Sequence, residues 1–290
     1  MPVSPFGRDA LRDIIVDRFS EHADAEFTLL SEGWDSVAVD VDDRWIFKFP
    51  RHARGEAALR REAGILALVR AAVRLPVPNL ELFDRPQIFS RHAKIAGEHL
   101  VTAQYNALPP IARHRLGEAL GRFYAELHQI EPAAAEAVGI LPAEEWMDAD
   151  DIERRIAPVL PEALKPFADA TLAEWADLTP DPLGTIYGFF DGHGWNMAFD
   201  HAAGKLNGIY DFADSGIGPL HREFVYSSFI SPELTERIIG SYEHLTGRHI
   251  DRRRVAVLTG AHRLWELAAE ADKPDEVLGM LASVAAWANR

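Results

Sequence analysis

Residues 190–199 read FDGHGWNMAF, and residues 208–214 read GIYDFAD. In the first segment a loop with two glycines separates Asp191 from Asn196, and in the second Asp211 follows a strand-like run. Phosphoryl transfer needs a carboxylate that accepts the proton of the attacking hydroxyl, and oxygen ligands that hold magnesium against the phosphates. We therefore predict Asp191 as the catalytic base and Asn196 and Asp211 as metal ligands.

A simpler interpretation of these two segments is that they form turns, because Asp, Gly and Asn all favour loops. Upstream of them, Lys48 lies in a strand-like run among aromatic residues, and Glu62 lies in a segment with helical periodicity. Either residue alone would be interpreted as a solvated surface group. The presence of all five polar residues in this order along one chain favours a catalytic site over the interpretation as simple turns.

The pattern of apolar and polar residues predicts an α+β protein with two lobes. In the first lobe, the alternation favours short strands and helical spacing favours helices. The predicted strands are 27–30, 36–41, 45–49, 79–83 and 88–93, and the predicted helices are 9–19 and 56–73. The second lobe is mainly helical, with a buried helix over 113–130 and strand-like runs between 185 and 212. We place the lobes at 1–96 and 97–290.

The composition excludes several kinds of site and partner. The 290 residues include no cysteine, so disulfides and thiolate chemistry are ruled out, and any metal must have oxygen or imidazole ligands. We expect a cytoplasmic protein, since neither a secretory signal nor a membrane-spanning stretch is visible. The net charge of -15 argues against a nucleic-acid partner. This charge would suit a cationic substrate, or it confers only solubility.

These motifs resemble those of the aminoglycoside phosphotransferases and of the wider protein-kinase-like superfamily. The loop from Asp191 to Asn196 resembles that family's catalytic loop, and residues 211–216 resemble its metal-binding segment. Upstream, residues 31–37 are similar to its nucleotide loop, and residues 45–50 are similar to its third strand. The matching pieces follow the family's order over most of the chain.

The resemblance implies a two-lobed protein-kinase-like fold that binds ATP or GTP with Mg²⁺ between the lobes and phosphorylates the hydroxyl of a small molecule. It also implies nucleotide-binding residues, namely Lys48, Glu62, Ser36, Ser90 and His92. Lys48 would contact the α- and β-phosphates, and Glu62 would pair with it. The segment that contains Ser90 and His92 would contact the base through its backbone. Glu223 would support the catalytic loop.

One position departs from the family's pattern. Family members usually carry His two residues before the catalytic Asp, and here that residue is Phe189. Because the His braces the loop, this change leaves a second hypothesis, a catalytically silent nucleotide-binding protein. A protein kinase is less well supported, since neither an activation segment nor a peptide-docking pattern follows Asp211.

The sequence leaves the acceptor open. An aminoglycoside, the acceptor that links the family to antibiotic resistance, would suit an acidic chain, but a sugar, an amino alcohol or another metabolite fits the same machinery. A late helix carries Trp265, Glu266 and Glu270. These residues either line a substrate pocket, or the Trp belongs to the core and the two acids belong to a solvated face of the helix. We interpret His193 as structural or substrate-adjacent in preference to catalytic, and Asp214 as a helix-capping or turn residue or as a second metal or loop contact.

Overall fold

The N-terminal region forms a five-stranded antiparallel sheet flanked in sequence by helices. The computed structural model describes residues 7–32 and 36–290. The elements of this region are α1 (Arg8–Arg18), β1 (Phe27–Glu32), β2 (Ser36–Val41), β3 (Trp45–Pro50), α2 (Ala53–Ala72), β4 (Glu81–Phe83) and β5 (Phe89–Ala93). The strand order is β1-β2-β3-β5-β4. All five predicted strands and both predicted helices are confirmed within a few residues.

A tight turn and a set of buried aromatic rings fix this sheet. Asp42 and Asp43 between β2 and β3 have φ of 56° and 55°, a left-handed conformation that Asp tolerates better than most residues. Phe49 of β3 stacks on Phe89 of β5 with 5.2 Å between ring centroids. The buried apolar core of the sheet and α1 comprises Leu11, Ile15, Phe19, Phe27, Val37, Val39, Val41, Phe47, Phe49 and Phe89. Alternation along the strands therefore places one face of the sheet in this core.

The remainder of the chain is mainly helical and carries two short strand pairs. Its elements are α3 (Thr102–Ala107), α4 (Pro110–Leu127), α5 (Pro132–Ala137), α6 (Ala149–Ile156), α7 (Lys165–Ala176), β6 (Thr185–Gly188), β7 (Met197–Asp200), β8 (Lys205–Ile209), β9 (Gly216–Pro219), α8 (Pro232–Thr246), α9 (Arg252–Ala269) and α10 (Pro274–Ala288). Strand β6 pairs with β9, and β7 pairs with β8. The predicted α+β class is therefore confirmed.

The chain divides into two compact units, each assembled from segments that are separate in sequence. The first unit comprises Met1–Leu100, Glu126–Leu141 and Trp195–Ala213, and the second comprises Val101–Ala125, Pro142–Gly194 and Asp214–Arg290. The β7–β8 hairpin thus belongs to the same unit as the five-stranded sheet. The lobe boundary between residues 96 and 97 stays a prediction.

Helix α9 lies at the centre of the second unit. It contacts α6, α7 and α10. The apolar cluster that these helices share comprises Ile152, Ile156, Ala168, Leu172, Leu264, Leu267, Ala268, Val277 and Val284. The packing of this cluster fixes the position of α9, and with it the positions of the polar residues of α9 that lie outside the cluster. Within the described ranges, no helix combines the length and the apolar character that a bilayer crossing needs.

Candidate active site

Lys48 and Glu62 form an ion pair in the first unit. Lys48 lies on β3 at the centre of the sheet, and Glu62 lies on α2. The Lys48 Nζ atom is 3.0 Å from Glu62 Oε1 and 3.3 Å from Glu62 Oε2. The Glu62 side chain is 6% exposed and that of Lys48 is 22% exposed, so the pair is shielded but the lysine side chain is not fully buried. The structure thus brings together the two residues that the sequence predicted as partners.

The charge balance around Lys48 keeps it protonated. Burial by itself would lower the pKa of Lys48, but the carboxylates of Glu62 and Asp211 offset this, so that the pKa lies above its ordinary value. A lysine in this state presents a fixed positive charge at neutral pH. Such a charge can bind phosphate oxygens as a point charge.

Asn196 and Asp211 lie at the same end of the β7–β8 hairpin. Met197 pairs with Ile209, and one residue further out the Tyr210 N–H donates to the Asn196 carbonyl at 3.1 Å. Asn196 is buried, whereas Asp211 is exposed and has a φ of 64°. Asn196 thus faces Tyr210, and Asp211 follows Tyr210 directly, so the amide and the carboxylate belong to adjacent positions at one end of the hairpin.

This pair of oxygen donors fits a magnesium ion. Mg²⁺ in nucleotide sites is held by one or two protein oxygens, and waters and phosphates fill its other positions. Asn196 and Asp211 supply donors of this kind, and the charge of Asp211 acts on the lysine that would face the phosphates. Asn196 and Asp211 are thus the residues of the first unit that would hold the ion.

The other predicted nucleotide residues also lie in the first unit. Ser90 on β5 is fully buried and sits opposite Lys48 in the β3–β5 register. His92, two residues on, is buried, and burial together with the Lys48 charge lowers its pKa to about 4. Ser36 begins β2, while residues 33–35 of the predicted nucleotide loop lie outside the described residues. The nucleotide contacts of Ser36, Ser90 and His92 stay predictions.

Asp191 lies in a tight loop of the second unit, where His193 accompanies it. The His193 Nε2 atom is 2.9 Å from Asp191 Oδ1. Burial lowers the pKa of His193, but the Asp191 carboxylate more than offsets this, and the pKa lies above its ordinary value. The Asp191 side chain is 19% exposed, so its carboxylate is reachable from solvent. The predicted base is thus an accessible carboxylate with a basic neighbour.

Glu223 holds the backbone that leads into Asp191. The N–H groups of Phe189 and Phe190 donate to its two carboxylate oxygens at 2.8 and 3.1 Å, and Glu223 is fully buried. Phe190 has a φ of 51°, a strained conformation for an aromatic residue that costs about 1–3 kcal/mol. Two hydrogen bonds to a buried carboxylate can offset that cost.

Phe189 lies two residues before Asp191, at the position where the resemblance implies His. Its side chain is fully buried and packs edge-to-face on Phe123 of α4, with ring centroids 6.2 Å apart. The bracing of the loop in this protein therefore comes from apolar packing at Phe189 and from the Glu223 carboxylate.

A protein-family model decides what kind of protein carries these features. The model described as the phosphotransferase enzyme family matches residues 26–258. The chain belongs to the phosphotransferase enzyme family. Comparison with curated proteins gives no match.

Solved structures of related fold are phosphotransferases as well. A mutant of aminoglycoside 2'-phosphotransferase-IIIa in complex with GDP gives a TM-score of 0.82 at 19% identity, over 97% of this chain and 97% of that chain. Macrolide 2'-phosphotransferase MphH from Brachybacterium faecium gives 0.68 at 16% identity, over 94% and 98%. The streptomycin–ATP complex of APH(2")-IIa gives 0.61 at 17% identity, over 97% and 97%. These structures confirm the predicted kinase-like fold, and the family model confirms the predicted class, a phosphotransferase.

Beside Asp191, this phosphotransferase carries a polar group that sequence reasoning found only in part. The sequence allows Glu266 on α9 as a pocket residue or a solvated one, and the structure shows that its side chain is only 26% exposed. Burial and the Asp191 charge raise the pKa of Glu266 to about 7, against the opposing effect of Arg263 and His193. His262, one turn earlier on the same helix, was missed, although its spacing of four from Glu266 was a visible signal.

Proposed function

We propose that the protein transfers the γ-phosphoryl group of ATP or GTP to a hydroxyl group of a small molecule, with Mg²⁺ as cofactor. The observation that carries this proposal is the Lys48–Glu62 ion pair at 3.0 Å. A strand lysine held by a helix carboxylate is the device by which protein kinases position the phosphates of the nucleotide. Related structures that contain GDP and ATP support either nucleotide as the donor.

In the proposed reaction, the acceptor hydroxyl oxygen attacks the γ-phosphorus in line with the leaving group. A new O–P bond forms, the bond from the γ-phosphorus to the β–γ bridging oxygen breaks, and the nucleoside diphosphate leaves. Asp191 orients the hydroxyl and takes its proton, while Lys48 binds phosphate oxygens and Glu62 holds Lys48 in place. Magnesium, when bound through Asn196 and Asp211, supplies neutralisation of the phosphate charge.

The Asp191→Asn variant tests this assignment. Asparagine keeps the shape of the side chain but cannot accept the proton, so we expect kcat to fall about 10²–10⁴-fold. The KM for the nucleotide should change by less than about threefold, because Asp191 has no role in nucleotide binding. Turnover is measured as nucleoside diphosphate release in the presence of a panel of alcohols and aminoglycosides.

A matched control distinguishes loss of the catalytic base from a general effect of removing a negative charge. Asp169 on α7 is an exposed carboxylate of the same unit, and Asp169→Asn should leave kcat as it is. If Asp191→Asn turned over as fast as the control, Asp191 would not be the catalytic base. Nucleotide binding without any transfer in the unmodified protein would favour the silent nucleotide-binding hypothesis.

A further inference from the structure

Buried polar atoms without hydrogen-bond partners gather beside the proposed base. The atoms are Trp146 Nε1, His193 Nδ1, His262 Nδ1 and Glu266 Oε2. We call these four residues the acceptor cluster. Glu266 Oε2 lies 3.7 Å from His262 Nδ1, and the ring centroids of His262 and Trp146 are 5.0 Å apart. His193 is bound to Asp191, so the cluster begins at the proposed base.

Aromatic rings surround the buried member of the cluster. His262 is 4% exposed, and it meets the rings of Trp146, Tyr226 and Phe229 edge-on at centroid distances of 5.0, 5.1 and 5.6 Å. Trp146 and Trp265 stack at 6.3 Å. Indole surfaces beside hydrogen-bonding atoms suit a ligand with an apolar face and a polar edge.

The charges around the cluster do not suit a polycation. The Arg222 guanidinium lies 4.6 Å from the centre of the Trp146 ring, and the charges of Arg222, Arg263 and His193 all act on His262. Together with burial they lower the pKa of His262 to about 3, so this imidazole is neutral. Glu266 has a pKa of about 7 and is therefore partly protonated at neutral pH. The charges of two arginines thus act on this cluster, whereas Glu266 carries only part of a negative charge at neutral pH.

We propose that the acceptor cluster binds an uncharged cyclic polyol, such as a sugar or a glycoside, and not a polycationic aminoglycoside. This inference rests on the proposed function and specifies its acceptor. Hydroxyl groups of the ring would accept a hydrogen bond from Trp146 Nε1, donate one to Glu266 Oε2 and pair with His262 Nδ1. The apolar face of the ring would pack on the indoles. One further hydroxyl would lose its proton to Asp191 as its oxygen bonds to the γ-phosphorus and the nucleoside diphosphate leaves.

Acceptor profiling tests the charge class directly. The protein is incubated with Mg·ATP or Mg·GTP and with neutral cyclic polyols, their monoamino analogues, or aminoglycosides, and phosphorylated products are detected by mass spectrometry. We expect kcat/KM for the best neutral polyol to exceed that for its monoamino analogue and for every aminoglycoside at least about tenfold. Preference for an aminoglycoside, or transfer to no neutral member, overturns the inference.

Variants of the cluster test which atoms contact the acceptor. Trp146→Phe keeps the aromatic surface and removes only the donor, so the acceptor KM should rise about tenfold and kcat should change less than about threefold. Glu266→Ala should raise the KM about tenfold, while Glu266→Gln, which retains an acceptor oxygen, should raise it less than about fivefold. An equally large loss in Glu266→Gln as in Glu266→Ala would show that the negative charge itself is needed, and would overturn the inference.

Glu270 supplies the matched control for these variants. It lies four residues beyond Glu266 at the end of α9 and pairs with Lys273 at 2.6 Å, outside the cluster. Glu270→Gln should leave the acceptor KM as it is. A rise in KM equal to that of Glu266→Ala would mean that loss of any α9 carboxylate perturbs the helix, and would remove Glu266 from the site.

The pH dependence of the acceptor KM gives an independent readout. Arg263, His193, Asp191 and His262 are the ionisable groups that act on Glu266. As the pH rises through about 7, Glu266 loses its proton and gains a negative charge. An acceptor held as a cation by this carboxylate would bind more tightly across that interval, so its KM would fall. A neutral polyol should show a much smaller fall, because its hydroxyl can donate to the protonated carboxyl as well as to the carboxylate. A fall as steep as that of its monoamino analogue would overturn the inference.

The failure of this inference can be distinguished from failure of the proposed function. Phosphorylation of an aminoglycoside that requires Asp191 would retain the phosphotransferase assignment and overturn the neutral acceptor. The absence of both thermal stabilisation by Mg·nucleotide and transfer to any alcohol would overturn both.

Discussion

Lys48 owes its charge to carboxylates on two different elements. Glu62 reaches it from α2, and the charge of Asp211 acts on it from beyond β8. In the phosphotransferase reaction, the phosphates would compete for the same ammonium. In the proposed reaction Glu62 would hold the lysine in position, and a cation bound at Asp211 would leave the positive charge of the lysine for the nucleotide.

Removal of Glu62 should impair nucleotide binding more than folding. In Glu62→Gln the Lys48 side chain loses its anchor but keeps access to solvent, so we expect the nucleotide KM to rise about tenfold, equivalent to ~1.4 kcal/mol. Steady-state kinetics at saturating acceptor measure this value. The exposed Arg60–Asp84 pair begins on the same helix, and Asp84→Asn serves as the control that should leave the KM as it is. A nucleotide KM for Glu62→Gln equal to that of Asp84→Asn would contradict the role of the Lys48–Glu62 pair in nucleotide binding.

The sequence could predict Lys48 and Glu62 because their order along the chain carried the signal. The acceptor cluster could be predicted only in part. Trp146 lies in a segment without clear periodicity, and two of the groups that act on Glu266, His193 and Asp191, belong to a loop far from α9 in sequence. Partners of this kind are distant in sequence, so a local pattern does not contain them.

At the scale of elements, the loop that carries the proposed base lies tightly against α4. A Cβ atom built at Gly192 would lie 2.0 Å from the hydroxyl oxygen of Tyr124 and 3.3 Å from its Cζ atom. The loop and the helix approach each other so closely here that residue 192 has no room for a side chain beside Tyr124. The sequence shows Gly192 as a turn residue, but its spatial restriction appears only when Tyr124 is placed beside it.

We expect Gly192→Ala to displace the loop and to lower kcat about tenfold or more, since small misplacements of a base are costly. The second change Tyr124→Phe removes the hydroxyl that clashes and leaves a tight contact at 3.3 Å. The double variant should therefore recover most of the lost activity. A double-mutant cycle on kcat measures this coupling. Equal kcat values in the single and double variants would contradict the steric explanation.

At the scale of the whole molecule, the net charge and the charges around the acceptor cluster point in different directions. The chain carries 45 acidic and 30 basic residues, which the sequence alone connects to a cationic substrate. Around the cluster, the charges of Arg222 and Arg263 instead act on His262, and the charge of Glu266 is partly lost at neutral pH. A total charge sums over the surface and carries no information on such a local arrangement. The fold class and the order of elements could be predicted from the sequence, but the sign of the local field could not.

Ionic strength should therefore have little effect on the use of the acceptor. A polycation attracted by a chain of charge -15 would lose affinity as salt screens that attraction. We expect kcat/KM for the neutral acceptor to change less than about twofold between about 20 and about 300 mM salt, because no net charge on the ligand is there to be screened. The measurement is made at saturating Mg·nucleotide, so that salt effects on nucleotide binding do not enter. A fall of tenfold or more would mean that the overall acidity of the protein, and not the local balance of Arg222, Arg263 and Glu266, governs which acceptor binds.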